Sequence, residues 1–249
     1  MQFLIFLSLD QPIFAKQTNK VPKLLHIDTT GETAIIGLSI QDQIIAQVKN
    51  QESQHHASFV QTSIQALCKE HSIDINELDG IVVTLGPGSY TGMRVGLASA
   101  KGIAYAIDKP LIGLSSLALI ARAANKQIAK NDTSYRLFSM IDARRMEVFG
   151  AIYDSNEKAL TEEKAIILDT PYLTDLIKEG KLYCAGSGAS KTAQLIVDEQ
   201  IQLLDTDYSV EEMLELALIK WENQQFEDLA YVGPSYIKDV YTIPSKQSK

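Results

Sequence analysis

Three groups of residues have types and spacings that could do chemistry. The first is the stretch Gly86-Pro87-Gly88-Ser89-Tyr90-Thr91-Gly92-Met93-Arg94-Val95-Gly96. Its glycines and proline let the chain turn tightly and bring bare backbone close to a neighbour. Ser89 or Thr91 is placed to cap a following helix, leaving the first backbone N–H groups pointing outward. Such a turn can hold an anion, or it can serve packing alone. The second group is a pair of Ile-Asp steps, Ile27-Asp28 followed by Thr29-Thr30 and Ile141-Asp142 followed by Ala143-Arg144-Arg145. An Asp at a strand end with hydroxyl residues in the next turn suits a phosphate and its metal, and it equally suits an Asx turn that only caps a hairpin. The third is His55-His56. Adjacent helical residues point about 100° apart, and His26 and His71 complete no cluster, so a metal site here is not expected.

The elements that must carry these residues follow from the apolar pattern. The run Gly80 to Leu85, apolar and β-branched from Ile81 to Val83, reads as a strand buried on both faces that feeds the glycine-rich turn. A helix from Thr91 to Ile107 follows. Along it Gly92, Gly96 and Ser99/Ala100 recur at helical spacing, with Gly102 and Ala104 beyond, so one face is nearly bare backbone. Glycine inside a helix costs about 1 kcal/mol relative to alanine, and close approach of another element would offset that cost. That element is either in the same domain or in a second subunit. Leu24 to Ile40 reads as a hairpin, Gln43 to Lys49 as a third strand and Ala57 to Glu70 as a helix; Leu137 to Tyr153 repeats the hairpin, with Ile141-Asp142 in the place of Ile27-Asp28 and Gly150 in that of Gly37. Duplicated hairpins that each open on Ile-Asp describe a two-lobed actin-like α/β architecture.

Composition narrows the function. The chain has 249 residues, a net charge of -8 and 45% hydrophobic residues. A surface this acidic is not built to wrap nucleic acid by itself. Two cysteines, Cys68 and Cys184, form neither a disulfide framework nor a zinc site. Residues 1–22 lack the basic start and cleavage site of a secretory signal and are expected to be a disordered extension. A first lobe is expected over 23–130, a second over 131–225 and a C-terminal segment over 226–249. The helix Val210 to Gln224 is expected to be anchored to the core by Trp221.

Together Leu25-His26-Ile27-Asp28-Thr29-Thr30, the Gly86 to Gly96 stretch, Lys101-Gly102, Ile141-Asp142-Ala143-Arg144-Arg145 with Glu147-Val148, and Pro234-Ser235-Tyr236-Ile237-Lys238 resemble the bacterial TsaB (YeaZ) family over about residues 23 to 240. The resemblance implies the two-lobed ASKHA (actin-like ATPase, RNase H-like) fold. It also implies a cytoplasmic role in forming N6-threonylcarbamoyladenosine at position 37 of tRNAs that read ANN codons. In that role the chain would not transfer the group itself. It would be a non-catalytic partner of a TsaD-like catalytic subunit, together with a TsaE-like ATPase, while TsaC supplies threonylcarbamoyl-AMP. The resemblance also implies a homodimer when the chain is alone, tRNA contact only indirectly and no membrane. It gives no cofactor of the chain's own, with ATP or ADP at the complex interface. First-lobe helices would form the partner interface, with Gly92, Met93, Gly96, Leu97 and Ala100 on one helix and Phe59 and Ser63 on the other. Asp28, Thr29, Ser89 and Arg144 are the candidate anion or nucleotide contacts, and no catalytic or metal-binding residue is expected. The His-x-x-x-His metal pair of the catalytic relative is missing, and a bulky Arg144-Arg145 stands where an actin-like ATPase wants a small residue. The family's His-Ser-Glu is replaced by His56-Ala57-Ser58. The alternative reading is a stand-alone actin-like kinase or ATPase using Asp28 and Asp142 around Mg²⁺-ATP.

Overall fold

The computed structural model describes residues 22–51 and 56–238, with the side chains of His56 and Ala57 left aside. Most of the extension expected over residues 1–22 lies outside these residues, as does His55.

The first sheet is built from β1 (Lys23–Asp28), β2 (Ala34–Ile40), β3 (Gln43–Asn50), β4 (Gly80–Gly86) and β5 (Leu111–Ser115), in the order β3-β2-β1-β4-β5. β1 runs antiparallel to β2 and parallel to β4, with Ile27 opposite Ile36 on one side and Val83 on the other. β1 is buried on both faces because it is central, which is why it reads as an unbroken apolar run up to Asp28. The second sheet comprises β6 (Arg136–Asp142), β7 (Glu147–Asp154), β8 (Lys164–Ile167), β9 (Leu182–Ala185) and β10 (Ile201–Leu204), ordered β10-β9-β6-β7-β8. It repeats the first topology strand for strand, so Asp28 and Asp142 end equivalent central strands. This is the α/β two-lobed arrangement expected from the duplicated hairpins. β8 and β10 are short and half-exposed, too brief to give the alternating pattern that reveals a strand in sequence.

The helices are α1 (His56–Glu70), α2 (Tyr90–Ala106), α3 (Ser116–Gln127), α4 (Thr170–Ile177), α5 (Ser190–Ala193) and α6 (Val210–Glu222). α1 and α2 cover one face of the first sheet, where Val60, Ile64, Leu67, Leu97, Ala100 and Ala104 join Leu25, Ile27 and Val83 in one core. Two helices change sides. α3 leaves the first sheet and lays Leu117, Ile120, Ala121 and Ala124 on Leu137, Ala151 and Tyr153 of the second. α6 returns to the first sheet, where Met213, Leu214 and Ala217 meet Leu24, Val82 and Ile112. Gly37 makes room for it, since a Cβ there would lie 2.4 Å from a Val210 methyl. Division of the chain at residue 130 therefore follows the strands but not the helices: α3 covers the sheet that comes after it, α6 the sheet that comes before. Trp221 does anchor α6, against Phe226 and the first-lobe core.

His26 sits inside the first sheet with no exposed surface, its Nε2 2.9 Å from the Ser39 hydroxyl and its Nδ1 unpartnered. Burial pulls its pKa down to about 3. The ordinary value is about 6.5, so between the two the unfolded chain binds a proton that the folded chain refuses. Stability is therefore lost as pH falls through this window, at up to ~1.4 kcal/mol per pH unit. Urea unfolding of His26→Gln between about pH 4 and 6 should show a shallower slope than the parent protein; an equal slope would remove His26 from this role.

The glycines of α2 divide by environment. A Cβ on Gly92 would lie 1.9 Å from the Thr29 carbonyl oxygen, whereas one on Gly102 would meet nothing within 4 Å. Gly92→Ala is expected to destabilise by about 1–3 kcal/mol, the usual range for overpacking, and Gly102→Ala to stabilise by up to about 1 kcal/mol. Equal effects in denaturant unfolding would contradict the inward placement of Gly92.

Candidate functional site

The site is assembled where the β1–β2 turn meets the N-terminus of α2. Gly86 turns the chain at φ 117°, and a Cβ there would strike the Met93 sulfur. Ser89 caps α2 by accepting from the Gly92 N–H at 3.2 Å, and donates its own N–H to the Thr30 carbonyl at 2.7 Å. Thr29 donates its hydroxyl to the Gly92 carbonyl at 2.6 Å. Gly88, Gly92 and Gly96 are the positions at which α2 and its turn touch Thr29 and Thr30, each too close for a side chain. The glycine-rich stretch thus spends its bare backbone on the neighbouring turn of its own chain. The N–H groups expected to point outward to an anion include two, of Ser89 and Gly92, that are already bonded.

Asp28 is likewise occupied. One carboxylate oxygen accepts from the Thr30 N–H and the Thr30 hydroxyl, both at 2.7 Å, and the other accepts from Tyr208 at 2.7 Å. Thr30 is further linked to Ser116 at 3.1 Å. Burial and the adjacent Asp28 charge push the Tyr208 phenol well above its ordinary pKa, so it stays a donor. This is the Asx turn of the sequence-level alternatives, extended by a tyrosine from the segment that leads into α6.

In the second lobe, Asp142 accepts from the Arg144 N–H at 2.6 Å and from the Lys191 ammonium at 2.7 Å. Lys191 is only 7% exposed and also donates to the Glu147 carbonyl at 2.8 Å. Its ammonium lies against the hairpin that an actin-like ATPase would open to phosphate. The Lys191 hydrogen bond holds the Asp142 carboxyl below the usual carboxylate range. Arg144 and Arg145 form the exposed tip, at φ 72° and 49°. The structure thus brings Asp28, Thr29 and Ser89 together around one turn, all engaged within the chain, and places Arg144 apart from them on the other lobe. Lys191, Tyr208 and Ser116 were missed by sequence reasoning; an isolated Lys, Tyr or Ser carries no periodic or motif signal.

The seven interface candidates need a correction. Gly92, Met93, Gly96, Leu97, Ala100 and Ser63 are buried in their own chain, and Phe59 is half-buried against the first-lobe core. The seam faces inward because Thr29 and Ile27 lie beneath it. The outward face of the helix pair consists of Ser58, Gln61, Thr62, Gln65 and Ala66 on α1 and Thr91, Ala98, Gly102 and Tyr105 on α2. Gln61 and Ser99 join the two helices at 3.0 Å. Among the described residues no three His, Cys, Asp or Glu side chains are grouped to hold a metal ion, and no helix is long and apolar enough to cross a membrane.

Two like lobes with matched Asp-ended central strands and exchanged third helices define an actin-like, ASKHA-type protein. The family model described as TsaD, tRNA N6-adenosine threonylcarbamoyltransferase, matches residues 42–231. A relative from Bacillus subtilis, the tRNA threonylcarbamoyladenosine biosynthesis protein TsaB, is 30% identical over 150 residues, 59% of this chain and 63% of the relative. The protein of the same name from Escherichia coli is 24% identical over 224 residues, 87% of this chain and 95% of the relative. YeaZ from Pseudomonas aeruginosa shares the fold, with a TM-score of 0.71 at 22% identity over 86% of this chain and 99% of YeaZ. The alignment with the Bacillus relative thus spans a little under two thirds of that protein. The chain belongs to the family that this model describes, and within it to the TsaB (YeaZ) proteins.

The engaged state of Asp142 has a measurable consequence. Its folded pKa is depressed, so the stabilisation it confers is present above the ordinary carboxylate value of about 3.9 and is lost as pH falls through the folded one. In Lys191→Met an NMR titration should move the Asp142 carboxyl upward; an unchanged midpoint would show that Lys191 is not the cause.

Proposed function

We propose that this chain is a non-catalytic partner subunit in the formation of N6-threonylcarbamoyladenosine on tRNAs that read ANN codons. It acts by binding and supporting a TsaD-like catalytic subunit through the outward face of α1 and α2. The observation that carries the reading is Gly102. It stands in a helix interior with open space above it, so its cost of about 1 kcal/mol relative to alanine has no return within the chain. Flanked by Ala98 and Thr91 on the same face, it lets a second helix approach closely. The curated relatives named TsaB, biosynthesis proteins for this same nucleoside, support the process.

The engagement of both Asp28 oxygens by Thr30 and Tyr208, and the pairing of Asp142 with the buried Lys191 ammonium, support a supporting role over the stand-alone kinase reading, because a magnesium ion at Asp28 would have to displace those bonds and one at Asp142 would face a neighbouring cation. In this reading the chain has no cofactor of its own. ATP or ADP and a TsaE-like ATPase act at the joint surface with the catalytic subunit, tRNA is met indirectly, and the same helices pair two copies when the partner is absent.

The test is an Ala98→Glu/Gly102→Trp double variant, both positions being exposed. It should fold like the parent by circular dichroism, lose at least tenfold in affinity for the catalytic subunit by calorimetry, and fail to support threonylcarbamoyl transfer in a reconstituted mixture with the TsaD-, TsaE- and TsaC-like proteins. Unchanged pairing would overturn the helix-face assignment. Transfer to tRNA, or Mg²⁺-ATP turnover, by the chain alone would overturn the non-catalytic reading.

A further inference from the structure

Among the described residues, part of one face of the second sheet is uncovered. Direct opposition in the ladders puts Ile141 with Phe149, Phe149 with Ala165, and Glu147 with Ile167 on the same face. α3 covers the other end of this face, at Leu137, Ala151 and Tyr153. Beyond its reach Phe149 and Ala165 are half-buried, and Ile167 is 72% exposed on β8, the edge strand of the sheet.

Two other parts of the chain wall off this open end. From the first lobe come Pro87, Tyr90 and Met93; from the C-terminal segment come Tyr236 and Ile237. With Phe149 they line a half-open pocket of about 280 Å³. The segment that forms the outer wall is tied to both lobes. The Ser235 N–H donates to the Leu85 carbonyl at 2.8 Å, Tyr236 accepts from Arg94 at 2.6 Å beside Tyr90, and Lys238 pairs with Glu147. The pocket is therefore a formed interlobe feature with three aromatic rings. It falls just below the roughly 300–1,000 Å³ of small-molecule sites, a size that suits one bulky side chain rather than a cofactor.

The charges beside it are uneven. Lys238 neutralises Glu147 and Lys191 neutralises Asp142. Arg144 and Arg145, three and two residues from Glu147, are exposed and carry no ion pair among the described residues. They also occupy two consecutive left-handed positions, where Asn-Gly is the favoured pair. Non-glycine residues held in such conformations are strained and gather at functional sites. A strained pair of uncompensated cations at the end of an aromatic groove, on a chain of net charge -8, is complementary to acid.

We propose that this groove binds an extended acidic segment of a partner protein. One aromatic or branched aliphatic side chain fills the pocket over Phe149, the backbone adds to the edge of β8 that no described strand pairs, and flanking carboxylates meet Arg144 and Arg145. The site is separate from the α1–α2 face and does not depend on the function proposed above.

The test uses the full chain alone and four fluorescein-labelled peptides that are rich in Asp and Glu and differ only in a central Trp, Phe, Leu or Ala. Affinity should be at least tenfold greater for Trp than for Ala, and should fall at least tenfold in Arg144→Glu/Arg145→Glu and in Ile167→Glu. All three changes are on exposed side chains, and unchanged thermal unfolding confirms that the variants are folded. Absence of binding at millimolar peptide, affinities indifferent to the central residue, or tighter binding of a single-stranded RNA oligonucleotide through the same arginines would each overturn the proposal.

Discussion

The contact on which the rest of this structure depends is the one between α2 and the turn after β1, where the Thr29 hydroxyl reaches the Gly92 carbonyl at 2.6 Å. No side chain fits between them, so the helix can be set down on the turn only because Gly88, Gly92 and Gly96 fall on its inner side. Once it is down, three things are settled. The helix rotation is fixed, which sends Thr91, Ala98, Gly102 and Tyr105 outward. The backbone donors at the helix start are engaged with Ser89 and Thr30. Asp28 is left facing Thr30 and Tyr208. A turn that resembles a phosphate cradle in its residues is used here as a close-packed joint.

The second organising feature is the exchange of α3 and α6 between the sheets. Each helix follows the last strand of one sheet and covers the other, so each sheet has one face covered by chain from the opposite half. Ion pairs reinforce the crossing: Lys126 of α3 meets Glu211, Glu212 and Glu215 of α6, and Arg122 meets Glu157 of the loop after β7. The C-terminal segment adds a third link from Leu85 and Arg94 to Glu147. Here helices and strap tie the lobes together, and the two aspartates are bonded within the chain, Asp28 to Thr30 and to Tyr208 from beyond β10 and Asp142 to Lys191.

Much of the fold was legible because its strongest signals are local. Ile81 to Val83 announces a strand buried on both faces, and the Ile-Asp pairs at 27–28 and 141–142 reveal the duplication, since equivalent central strands face equivalent surroundings. Less of the site was legible. The glycine seam was visible, but a seam of small residues states only that something comes close, not what. Thr29, sixty-three positions from Gly92, is what comes close, and the outward face lies on Thr91, Ala98, Gly102 and Tyr105.

The sequence by itself determined the two-lobed architecture, the family, and the presence of a helix with one bare face, because patterning of apolar and small residues along a strand or helix is read without knowing its neighbours. Tertiary structure decided which way that face turns and whether each aspartate is free. It also joined Lys191 to Asp142, Tyr208 to Asp28, and Phe149 to Tyr90 and Tyr236 around one pocket. These depend on contacts between distant segments, and a contact of that kind leaves no period or spacing in the chain that makes it.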